Sequence, residues 1–139
     1  MSPKHRVIPV AACSGIGKIL GAATREAAYI LTEDLRPEKT KVMALGLLVL
    51  GDEEARREVE GAEAVAIDGC KLGCAAKGLA CSGAAKVHKI AVFDVLRRHR
   101  GLKPEGVCDL NEDGSKLARA AAEEAAGVVD GIDGEGGHA

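Results

Sequence analysis

Four short apolar runs rich in β-branched residues recur along the chain, and stretches of helical periodicity separate them. The first run is RVIPVAAC (Arg6–Cys13), the second KVMAL (Lys41–Leu45), the third AEAVAI, ending at Asp68, and the fourth KVHKIAVFDVL (Lys86–Leu96). Strands alternating with helices require right-handed crossovers, so the sheet they build is mostly parallel and covered on both faces. Continuous rather than alternating apolar strands agree with burial on both sides. Pro9 fits this poorly, because proline donates no ladder hydrogen bond.

The intervening segments carry helix signals. Ile16, Leu20, Ala23, Ala27, Ile30 and Leu31 share a helical face, and that helix is expected to stop near Leu35, before Pro37. Asp52 is placed to cap a second helix reaching Glu60, with Glu53 and Glu54 in its first turn. A short helix is expected from Lys71 to Cys81, with Gly83 as its stop. SKLARAAAEEAAG (Ser115–Gly127) reads as the last helix. The expectation is a three-layer α/β fold, Rossmann-like or flavodoxin-like, with about four strands and helices on both faces. It occupies residues 1–127 as one domain, and residues 128–139, Gly-rich and acidic, form a frayed tail. At 139 residues the chain suits one core.

Composition narrows the function. With one Phe, one Tyr and no Trp, a base-stacking surface is implausible. A net charge of −2 without a long basic stripe argues against nucleic acid; LRRHR (Leu96–Arg100) reads as a solvated patch. No run approaches the ~18 apolar residues of a membrane span. KHRVIPVAAC (Lys4–Cys13) imitates a lipoprotein signal, but Pro9 breaks its apolar run, and no leader is expected. A cytoplasmic, reducing location is therefore expected, where clustered cysteines mean metal or redox chemistry more often than disulfides. Self-association is left open.

Five cysteines carry the chemical signal. In parallel sheets, ligands bind at the carboxyl ends of the strands. Cys13 closes the first strand and Cys70 follows the third, each ahead of a helix start, where free N–H groups favour thiolate. Cys74, four residues after Cys70, is expected on the same helical face one turn later. Cys13, Cys70 and Cys74 then form a three-thiolate site for zinc or a similarly soft metal, with a fourth position open. Cys81 lies about 10 Å along the axis from Cys74, too far to share that ion, and is read as a small, partly buried residue. Cys108, in EGVCDLNEDG, is either a fourth ligand or without a role. Asp68 has two readings, a general base beside the thiols or an acceptor for backbone N–H groups at the helix start. Two packings of this helix stay open, one facing Leu72 and Leu79 to the sheet, the other Ala75, Gly78 and Leu79.

Other motifs fail. SGIGK lacks the P-loop spacing and its Ser/Thr after the lysine. A cysteine-loop phosphatase needs Arg six residues after the cysteine, where this chain has Ile19. His5, His88, His99 and His138 form no ligand spacing among themselves. The alternative to metal binding is a thiol enzyme handling sulfur, redox or acyl groups, with Cys13 or Cys70 as nucleophile.

CSGIGK after the first strand and DGCKLGCAAK after the third resemble the DGC-domain family, named for its Asp-Gly-Cys motif. The resemblance covers roughly Val7 to Leu96. It implies zinc binding through several cysteines, and the family's ligands fall on Cys13, Cys70 and Cys74. Similar proteins carry a further cysteine near the end of the second strand; here that region reads KVMALGLL, without one.

Overall fold

The computed structural model describes residues 7–13, 19–69, 73–105 and 110–136. Four strands, β1 (Ile8–Ala12), β2 (Thr40–Met43), β3 (Glu63–Asp68) and β4 (Lys86–Ala91), form one parallel sheet in the order β2-β1-β3-β4. Among the described residues six helices accompany them: α1 (Ile19–Tyr29), α2 (Leu45–Leu50), α3 (Glu53–Val59), α4 (Cys74–Cys81), α5 (Val92–Arg98) and α6 (Glu112–Gly136). A π-helical stretch, Ile30–Leu35, continues α1. The fold is the expected three-layer α/β arrangement.

Pro9 is tolerated in a central strand because of register. The Ile8 N–H donates to Lys39 O on the β2 side, and the Cys13 N–H donates to Ile67 O on the β3 side. Alternation along the strand therefore turns the Pro9 nitrogen toward β3, whose pairing with β1 begins only at Val10. The missing donor falls at the start of that ladder rather than within it.

The pleat divides the core. Ile8, Val10, Val65, Ile67 and Ile90 face α1, α5 and α6, while Ala11, Ala64 and Ala66 face α3 and α4. The near absence of aromatic residues is met by small ones. Ala23, Ala27 and Ala28 of α1 pack in the same core cluster as Ala118, Ala121, Ala122 and Ala125 of α6, which lets the helices approach closely.

Four element boundaries differ from the sequence reading. The second apolar run stops at Met43, and Leu45 opens α2. The fourth stops at Ala91, and its remainder is α5, which buries Val92 and Val95 and exposes Phe93. The third helix starts at Cys74 rather than Lys71, because Gly73 precedes it at φ +65°. The last helix runs on to Gly136. Residues 128–136, expected as tail, are helical, and Val129 and Ile132 are buried in the α1–α6 core.

Candidate metal centre at the carboxyl edge

From β1 the chain crosses to β2 on one side, and β3 then pairs on the other side of β1. The direction of winding changes between β1 and β3, which is where parallel sheets open a crevice for ligands. Cys13 stands at this point, just past β1, and its N–H extends the ladder to Ile67 O at 3.0 Å. Its carbonyl oxygen lies 2.8 Å from the Thr24 hydroxyl of α1, which also lies 2.7 Å from Gly21 O. Thr24 is fully buried, so it ties the end of β1 to α1. No sequence signal marked Thr24, which is a β-branched residue in mid-helix.

Register places Asp68 beside Cys13. Ala11 pairs with Ala66 and Ala12 with Ile67, so the next pair along the ladder is Cys13 and Asp68. Paired residues in parallel strands share a face, and Ala11 and Ala66 both face α4. Strand alternation puts Cys13 and Asp68 on that face too. Asp68 is 5% exposed, and its carboxylate accepts two backbone N–H bonds from the first turn of α4. Oδ1 takes the Ala75 N–H at 2.8 Å and Oδ2 the Ala76 N–H at 3.2 Å. Of its two readings, Asp68 shows the second, an acceptor at the helix start. Those two N–H groups, expected to favour a thiolate, are therefore engaged by a carboxylate.

Cys74 is the first residue of α4 and is exposed, while Ala75, Ala76 and Leu79 are buried against the sheet. Ala75 and Leu79 thus face the sheet as in the second of the two packings, while Leu72 of the first lies outside the described residues. Gly78 lies against α2, where a Cβ would meet Leu45 Cδ1 at 2.5 Å. The described helix begins at Cys74, so it does not itself carry the one-turn spacing expected of Cys70 and Cys74. Cys70 lies outside the described residues, as does Cys108. Cys81 ends α4 and is exposed rather than partly buried. Seven residues of helix set it about 10 Å from Cys74 along the axis.

Asp68 fastens α4 to β3. Gly69 lets the chain leave β3 against α1: a Cβ there would stand 3.2 Å from Leu20 Cβ and 3.4 Å from the Leu20 carbonyl carbon and oxygen. Two of the three residues of the Asp-Gly-Cys motif are therefore explained by packing and capping. Among the described residues, no three His, Cys, Asp or Glu side chains group as a metal cluster. The described part of the cysteine set is Cys13, half-buried, and Cys74, exposed, both free thiols at one sheet edge. Thiol donors of this kind suit a soft ion such as zinc.

A parallel sheet between two helical layers, with Cys13 at its switch point and Cys74 at the start of α4, defines a thiol-bearing α/β protein. No described helix is long and apolar enough to cross a membrane. The chain belongs to the DGC-domain family: the family model matches residues 9–129, most of its length. No curated protein and no solved structure matches it.

Proposed function

We propose that this chain is a cytoplasmic protein that holds zinc, or a similarly soft metal ion, through Cys13, Cys70 and Cys74. The observation that supports this most is the pairing of Cys13 with Asp68 on one sheet face, with the α4 start fastened to that same carboxylate. That arrangement supports a common site for two free thiols from distant parts of the sequence. Asp68 is a positioning residue in this reading. Both its oxygens are engaged by α4, so it orients the segment that carries Cys74 rather than binding the ion. Cys13 is held through its backbone, by Ile67 O and the Thr24 hydroxyl. Three thiolates leave one zinc position for water or an exchangeable ligand, and zinc bound in this way supplies Lewis acidity. A reducing compartment keeps the thiols available.

Elemental analysis of protein purified without chelator tests the proposal. Near-stoichiometric metal is expected, sharply reduced in Cys70→Ser and retained in Cys81→Ser. Metal-free protein whose stability is unchanged by chelator would overturn it. Rapid alkylation of Cys13 or Cys70 in such protein would instead favour the thiol enzyme.

A further inference from the structure

A second feature of the same sheet edge lies on the α1 side. Arg25 of α1 has a buried Nη1 with no hydrogen-bond partner among the described residues. Arg25 also lines a cavity of about 260 Å³, together with Ala12, Ala28, Tyr29, Met43 and Ala44. Among the described lining residues it is the only charged one. A guanidinium is always charged and presents donors in a planar fork, and half-buried Arg25 pairs with no carboxylate among the described residues, so its charge suits an anion entering the cavity. Carboxylates match that fork with two parallel bonds. The walls are otherwise apolar or aromatic, and the volume is at the small end of ligand cavities.

We propose that this cavity binds a short-chain organic carboxylate. The carboxylate sits on Arg25 and the carbon chain lies against Ala12, Ala28 and Met43, with Tyr29 and Ala44, both exposed, at the rim. Ala12 immediately precedes Cys13, so the bound anion lies at the sheet edge that carries the thiols. The site does not depend on metal binding, since it uses none of the cysteines.

Butyrate, its neutral isostere butyramide and inorganic phosphate serve as probes, titrated by calorimetry against the full-length protein. Butyrate is expected to bind, in the millimolar range or tighter. Butyramide and phosphate are expected to bind at least about tenfold more weakly, one lacking the charge and the other the apolar body. Arg25→Gln is expected to weaken butyrate about tenfold or more, with metal content unchanged. Ala44→Phe, at an exposed rim position, fills the cavity and should weaken butyrate while leaving the fold intact. Absence of butyrate binding, equal binding to Arg25→Gln, or phosphate binding as tight as butyrate would each overturn the assignment. A loss of metal with butyrate binding intact would overturn only the metal reading.

Discussion

Replacing Asp68 with alanine tests how the site is assembled. The substitution removes acceptors from the Ala75 N–H at 2.8 Å and the Ala76 N–H at 3.2 Å. Both alanines are buried, at 0% and 6% exposure, so water replaces the lost acceptors poorly. Hydrogen bonds to a charged group contribute about 1.5–3 kcal/mol each, and loss of a helix-capping acceptor costs about 0.5–2 kcal/mol. The two bonds share one carboxylate and do not add in full. The expected destabilisation is therefore about 2–4 kcal/mol for Asp68→Ala. Asp68→Asn keeps one acceptor oxygen but turns an amide against the other N–H, and is expected to lose about 1–2 kcal/mol. For a chain of this size about 3 °C of Tm accompanies each kcal/mol, so the alanine variant should melt about 6–12 °C lower. Circular dichroism melts measure this, and amide hydrogen exchange localises it. Ala75 and Ala76 should be protected in the wild type and exchange rapidly in Asp68→Ala. An unchanged melt with both amides still protected would show that Asp68 does not hold the start of α4.

Three further outcomes are expected. Gly69→Ala forces a Cβ against the Leu20 backbone and should destabilise by about 1–3 kcal/mol in urea titrations; an equal or higher midpoint would contradict the close approach. Truncation after Gly127 removes Val129 and Ile132 from the core and should cost about 3–5 kcal/mol, whereas a true tail would leave the urea midpoint in place. Asp130 is held below the usual carboxylate range by hydrogen bonds from the Arg36 guanidinium, at 2.8 and 2.6 Å. A lowered folded value means that this contribution is present above about pH 4 and fades as pH falls through the lowered value. Asp130→Asn should therefore lose a small stability increment near neutral pH and converge with the wild type in strong acid. A difference that persists or grows in acid would reverse the sign.

The carboxyl-edge placement of Cys13 was legible because a β-branched run followed by a helical period fixes where a parallel strand ends. Asp52 was legible as a cap for a similarly local reason, and its Oδ2 accepts the Ala55 N–H at 3.0 Å. The α4 start was not, since the positive φ of Gly73 delays the helix by three residues and apolar spacing does not encode that choice. In VFDVL, β-branched residues continue the fourth strand by propensity, yet burial of Val92 and Val95 on a helical face decides for α5. The tail was misread from its glycines and acids. Val129 and Ile132, three residues apart on one helix face, outweigh them, and Asp130 is bound to Arg36. Arg25 left no trace in the sequence, because an unpaired donor is a property of the packed chain.

The ligand set is tested most directly by X-ray absorption at the zinc edge of the protein as purified. Three sulfur ligands at about 2.3 Å and one lighter ligand are expected, with the sulfur count falling to two in Cys13→Ser and in Cys74→Ser. A shell of nitrogen and oxygen alone, or a sulfur count unchanged by either substitution, would contradict it.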